Sequence, residues 1–149
     1  MNAPVARVGG RVLVLDPDGR ILLIHERLED GSTHWLTPGG GVEPGESPRL
    51  AAQREAAEEI GLDLVLDADA EAVLQTQRLW SWDGVVYDQV DHFYVAHVPE
   101  AVEPTPGGLT DVEKTTLLGF RWWTVEELRV TAEVIVPADL ADVLARYRA

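Results

Sequence analysis

The chain opens on an alternation. From Arg7 to Leu15 (RVGGRVLVL) apolar positions alternate with small or polar ones, which predicts a strand. DPDG, Asp16 to Gly19, is a turn signal, and Arg20 to Glu26 (RILLIHE) reads as the returning strand. Asp16, Asp18 and Gly19 lack the continuing ligand ladder of a calcium loop, so this is a plain hairpin turn. Thr37 to Gly45 is dense in Gly and Pro and reads as a loop. Ser47 as cap and Pro48 in the first helical position start a helix that runs to Ile60, with Gly61 as its stop. Leu50, Ala51, Ala57 and Ile60 form its expected sheet-facing side. Leu62 to Leu66 is a short strand candidate. Ala72 to Trp82 and Val85 to Val98 flank Asp83-Gly84, a second hairpin signal. Pro99 to Leu118, with three prolines and two adjacent glycines, reads as a long loop, and loops of that length in compact domains are often functional. Gly119 to Trp123 predicts a strand, Thr124 caps a short helix at Val125 to Leu128, and Pro137 to Arg148 predicts a terminal helix. Strands, helix, strands, helix is the order of a mixed α/β sandwich rather than a doubly wound parallel sheet.

The length, 149 residues, fits one domain over residues 1–149. There is no cysteine, which removes disulfides, thiolate metal sites and cysteine nucleophiles together. No leader pattern and no long apolar run are visible, and the expected setting is cytoplasmic, with no membrane partner. Net charge is −14, from 26 acids and 12 bases. Such a surface repels nucleic-acid polymers and anionic membranes. It also repels a small phosphorylated substrate unless a cation intervenes.

One stretch of the predicted helix concentrates that charge. In REAAEEIG, Arg54 to Gly61, Glu55, Glu58 and Glu59 fall within an arc of about 100° at ~100° per residue. They crowd the last two turns, beside the negative end of the helix dipole. Glu55 and Glu59 are like charges four apart, a pair that costs about 0.2–0.5 kcal/mol on an exposed helix. Arg54 offsets part of this through Glu58. A divalent cation offsets more, and carboxylate oxygens suit Mg²⁺, Mn²⁺ or Ca²⁺.

The surroundings of that helix are more specific. GGVEPGESPRLAAQREAAEEIGL places Gly40, Glu46, Arg54-Glu55, Glu58-Glu59 and Gly61 at fixed spacings. The stretch Gly40 to Leu62 resembles the Nudix box, the signature of the Nudix hydrolases. Every polar and glycine position matches; Ala56 stands where that family usually has a larger aliphatic. The resemblance implies an α/β/α sandwich with a mixed β-sheet, and a loop-helix-loop that binds Mg²⁺ or Mn²⁺. It implies Glu55, Glu58, Glu59 and the carbonyl of Gly39 as metal ligands. It also implies that Gly40, Glu46, Arg54 and Gly61 brace the site, with Arg54 orienting the ligand carboxylates. The implied reaction is metal-dependent hydrolysis of a diphosphate linkage in a nucleoside diphosphate joined to another group. The cation neutralises phosphate charge and acidifies the attacking water. Within the family the general base is a glutamate of the box or an acid on a later loop. Glu58 and Glu55 are therefore catalytic candidates with Arg54, and Glu113, in LTDVEK, is the candidate later acid.

Outside the box, Arg27 and Arg78 are candidate phosphate donors and Trp80 a candidate base-stacking residue. Gly39 to Gly41 lacks the Gly-Lys-Ser/Thr of a P-loop. Subfamily markers are missing: no proline lies between Gly61 and Pro99, and Trp80 stands nearest to where a tyrosine marks dinucleoside-polyphosphate hydrolases. The default expectation is then a MutT-like enzyme acting on a (d)NTP or modified nucleotide. Hydrolysis of ADP-ribose, a nucleotide-sugar or a dinucleoside polyphosphate is the alternative, and a non-catalytic nucleotide-sensing module is the alternative of another class. Dimers are common in the family, so a homodimer is compatible with the resemblance.

Overall fold

The computed structural model describes residues 3–148. Its first hairpin joins β1 (Val5–Leu15) to β2 (Ile21–Arg27). Asp16 closes the turn: its Oδ1 accepts from the backbone N–H of Asp18 and of Arg20. Beyond the turn β1 and β2 diverge. The gap is filled by β3 (Thr33–Leu36), antiparallel to β2, and β4 (Gly39–Gly41), antiparallel to β1. The Thr37-Pro38 bend between them is tied to β1 through Val12, whose N–H donates to the Pro38 carbonyl.

Helix α1 (Pro48–Ile60) follows, then the hairpin β5 (Leu74–Trp82) and β6 (Val85–His97). Strand β6 lies parallel to β1 along its whole length. Helix α2 (Asp111–Thr116), strand β7 (Leu117–Trp123), helix α3 (Val125–Val130), strand β8 (Ile135–Val136) and helix α4 (Leu140–Tyr147) complete the chain. The sheet is mixed: β8 is parallel to β3, and β7 antiparallel to β2. Alternate residues of β1 supply two cores. Val12 and Val14 pack with Ala52, Ala56 and Ile60 of α1, while Leu13 and Leu15 pack with Leu140, Val143 and Leu144 of α4. This is the α/β/α sandwich with a mixed sheet that the resemblance implies.

Several expectations are corrected. Leu62 to Leu66 is not a strand. Its alternating leucines do pack on the α1 core, but the Leu66 N–H is taken by the Gln53 side chain rather than by a neighbouring strand. The long loop is interrupted by α2, and β7 begins two residues earlier than predicted. On α1 the sheet-facing row is Ala51, Ala52, Ala56 and Ile60, whereas Leu50 is 41% exposed. Small residues here let the helix sit close: a Cβ on Gly10 would overlap the carbonyl of Pro48. The row 51–55–59 lies beside this face, so Glu55 and Glu59 turn toward β4.

Candidate active site

The acidic helix ends against the long loop. Gly61 adopts φ +69° and closes a Schellman-type cap, its N–H donating to Ala57 and that of Leu62 to Ala56. The loop then supplies three more donors: the N–H of Thr105 to the Ile60 carbonyl, and those of Gly107 and Gly108 to the Glu58 carbonyl. The carbonyls that a helix end leaves without partners are thus satisfied by the loop, which relieves part of the negative dipole next to the glutamates. The same docking fixes the start of α2. Thr110 and Glu113 form a capping box, with the Thr110 N–H donating to Glu113 Oε1 at 2.9 Å.

This brings three carboxylates together. One oxygen from each of Glu55, Glu59 and Glu113 lies within 4.8 Å of the other two. The Gly39 N–H donates to Glu59 Oε1 at 2.8 Å. Gly40 allows the approach of Glu55, because a Cβ there would stand 2.5 Å from its Oε1. Gly39 itself, at φ +154°, has no room for a side chain against Arg11 and Gly10.

Arg54 lies alongside the trio. It holds Glu46 through Nε and Nη2, at 2.9 and 3.0 Å, and the Gly41 carbonyl at 2.9 Å. Its Nη1 donates to Glu55 at 3.0 Å and to Glu58 at 3.2 Å. The planar guanidinium therefore ties the loop to the helix at five acceptors. Glu58 points to Arg54 here and is not one of the three converging carboxylates.

Electrostatics mark the same residues. Burial pushes Glu59 well above the usual carboxylate range, with Glu55 adding repulsion and Arg11 and the Gly39 N–H only partly compensating. Burial also raises Glu55, against the pull of Arg54. Glu46 is held low by its hydrogen bonds from Arg54, and Arg54 is held fully charged by Glu46. Half-buried carboxylates repelling one another, all with hard oxygen donors, fit a divalent cation. Glu55, Glu59 and Glu113 are the residues that would hold it.

Of the other candidates, Arg27 ends β2 exposed and makes no ion pair among the described residues. Arg78 lies on β5 beside Asp91, at 3.5 Å. Trp80 stacks on Tyr87, with ring centroids 4.6 Å apart, and donates its indole N–H to Gln89. Sequence reading missed two neighbours. Arg11 is buried, bonded to Asp91 at 3.0 Å and to the Thr37 carbonyl at 2.7 Å. Arg7 lies over the Trp80 and Tyr87 rings beside Gly41, without an ion-pair partner among the described residues. A signal for both was available: they are charged residues at alternating positions that face one side of a strand.

The mixed-sheet sandwich and the converging carboxylates define a site whose oxygen donors suit a hard divalent cation. The chain belongs to the NUDIX domain family, whose profile matches residues 6–146, and it is a hydrolase of diphosphate anhydrides. An RNA pyrophosphohydrolase of Caulobacter vibrioides is 27% identical over 148 residues, covering 92% of this chain and 81% of the relative. One from Rickettsia canadensis is 40% identical over 57 residues, 38% of this chain and 35% of that protein. The crystal structure of a MutT NUDIX hydrolase from Burkholderia pseudomallei superposes with a TM-score of 0.68 at 26% identity, covering 95% of this chain and 98% of the other. Nudix hydrolases in general require divalent metals, in keeping with the glutamate cluster.

Proposed function

We propose that this chain hydrolyses the diphosphate linkage of a small nucleotide, a (d)NTP or a modified nucleotide, with Mg²⁺ or Mn²⁺. The observation that carries the reading is the convergence of Glu55, Glu59 and Glu113, drawn from two separate helices, beside an arginine that braces the loop. Bound there, a divalent cation would neutralise the diphosphate oxygens and acidify an attacking water. The chain's own groups do the rest. Glu59 is oriented by the Gly39 N–H, Glu55 by Arg54, and Glu58 adds negative charge next to them. Glu113 is held by its capping box and brings a carboxylate oxygen to the cluster, and it is the acid from the later loop that we assign to take a proton from water. Arg7, without an ion-pair partner among the described residues, offers its guanidinium next to Gly41 for a phosphate, with the Trp80–Tyr87 stack under it.

The names of the relatives raise a second reading, removal of diphosphate from the 5′ end of an RNA. The charge of −14 favours the small nucleotide, since a polymer would bring many more phosphates against an acidic surface. A substrate panel with Mg²⁺ and Mn²⁺ tests both. It should include nucleoside triphosphates, oxidised triphosphates, ADP-ribose, nucleotide-sugars, dinucleoside polyphosphates and a 5′-triphosphorylated oligoribonucleotide. Turnover of a triphosphate, abolished in Glu59→Gln, supports the reading. Turnover of the oligoribonucleotide alone replaces it with the second, and turnover of none refutes both.

A further inference from the structure

Strands β5, β6 and β1 share a face along which polar side chains run inward from the Trp80–Tyr87 ring pair. Trp80 lies opposite Tyr87, and Gly9 opposite Asp91, so Trp80, Gln89, Asp91 and Arg11 stand diagonally next to one another. Three of the four are buried where an apolar side chain would cost less: Gln89 and Asp91 are each 1% exposed, and Arg11 7%. Gly9 makes room for them, because a Cβ there would overlap the Asp91 carboxylate and the Gln89 amide.

Gln89 is the member whose chemistry is most constrained. Its Oε1 accepts from the Trp80 indole N–H at 2.7 Å, and its Nε2 donates to Asp91 Oδ1 at 2.6 Å. An indole N–H only donates and an ionised carboxylate only accepts. The side chain that joins them needs an acceptor at one corner and a donor at the other, and an amide has both. Glutamate would set one carboxylate against another. Methionine, of similar length, would leave both partners without this bond.

From Asp91 the row continues to the acidic helix. Asp91 Oδ2 accepts from Arg11 Nε at 3.0 Å, and Arg11 Nη1 donates to the Thr37 carbonyl at 2.7 Å. The Arg11 stem lies against Gly39, whose N–H holds Glu59. With both oxygens engaged, Asp91 cannot turn, and Arg11 keeps the Thr37–Gly39 bend in place. We propose that Gln89 is a positioning residue: it fixes Asp91 and so joins the Trp80 ring to the Glu59 carboxylate through Arg11 and the Thr37–Gly39 bend. The proposal rests on the reading of Glu55, Glu59 and Glu113 as the residues that hold a cation.

Its test reads the Gly39 amide directly, by hydrogen exchange on the metal-free full-length chain. In Gln89→Met, exchange at Gly39 should rise at least about tenfold, the scale of one lost buried hydrogen bond. The amides of Val143 and Leu144, buried in α4, should change by less than about twofold. A general loss of stability would move all three together. Trp80→Phe keeps a ring on Tyr87 and removes only the N–H. It should raise Gly39 exchange at least about threefold, and adding it to Gln89→Met should change Gly39 by less than about twofold further, since both break one link. Mn²⁺ binding, followed by calorimetry, should weaken at least about threefold in Gln89→Met, because a loosened ligand must be ordered on binding. Unchanged Gly39 exchange in either single variant, an equal rise in α4, additive effects in the double variant, or unchanged Mn²⁺ affinity would each overturn the proposal. Should Gln89→Met fail to fold, Trp80→Phe decides alone. Absence of Mn²⁺ binding in the unmodified chain refutes the cation reading and the proposal with it, whereas a negative result at Gly39 refutes the proposal and leaves that reading standing.

Discussion

The backbone N–H of Gly39 donates to the Glu59 carboxylate at 2.8 Å. This single bond joins the loop ahead of the acidic helix to its last turn. Behind it, Arg11 fastens the Thr37 carbonyl and Asp91 fastens Arg11. The carboxylate is thus aimed from the sheet, through a strand too short to be seen as one in the sequence.

Glu59→Gln tests what that carboxylate does. The amide oxygen still accepts the Gly39 N–H, so the loop stays tied, but the charge is gone. We expect Mg²⁺-dependent kcat to fall by at least about 100-fold. We also expect the metal-free protein to melt higher, because a buried like charge is removed from beside Glu55. Glu58→Gln should lower kcat on a similar scale without that gain, since Glu58 is already paired with Arg54. Kinetics with thermal denaturation of both variants distinguishes them. Full activity in both would overturn the site.

Arg54→Lys is a conservative change only in charge. One ammonium cannot reach Glu46 bidentately, Glu55, Glu58 and the Gly41 carbonyl together. Loss of two or three partly exposed charge-assisted bonds should cost about 2 kcal/mol in urea unfolding. The Mg²⁺ concentration for half-maximal activity should rise as well. An unchanged half-maximal Mg²⁺ concentration would mean that the guanidinium braces the fold and not the carboxylates.

Gly61→Ala addresses the loop. The residue has a positive φ, and its Cβ would overlap the Thr105 carbonyl. The expected cost is at least about 1 kcal/mol from the dihedral alone, before any clash. Because Thr105, Gly107 and Gly108 all hang on this helix end, Glu113 should shift with them. We expect kcat to fall in Gly61→Ala far more than nucleotide affinity changes. If kcat holds while stability drops, Glu113 has no part in the chemistry.

The acidic helix was legible because its chemistry and its geometry share one repeat. Ser47, Pro48 and Gly61 mark its ends at the residues observed, and the spacing of Glu55 and Glu59 places them on one side. What could not be read lay in contacts across the fold. Gly39–Gly41 is a strand only because β1 and β2 diverge and leave a gap. Leu62–Leu66 has a strand's alternation, yet Gln53 takes one of its N–H groups. Thr110-x-x-Glu113 does carry the capping-box signature of a helix start, and the prolines and glycines before it obscured that signal. Glu58, spaced like a member of the converging set, is drawn aside by Arg54 four residues earlier.

The crowded carboxylates also set a pH dependence. Glu55 and Glu59 have folded-state values raised above the ordinary 4.5 of a glutamate. Between that value and their folded-state values the native protein binds more protons than the unfolded chain. Their contribution to stability is then fullest below about 4.5 and is lost as pH rises through the folded-state values. Glu46 and Asp91 have the opposite sign. Arg54 holds Glu46 low through hydrogen bonds, while at Asp91 burial pushes upward and Arg11, Gln89 and Arg78 outweigh it. Their stabilisation is present above the ordinary values and fades only as pH falls through the lowered ones, in a more acidic window. The metal-free protein should therefore gain Tm as pH is lowered from neutral toward about 5. Glu59→Gln should flatten that rise. Saturating Mg²⁺ should reverse it, because binding needs the deprotonated carboxylates and so stabilises most at neutral pH. A Tm that falls steadily from neutral to acid in the metal-free protein, or an identical profile in Glu59→Gln, would show that these carboxylates are not strained in the native state.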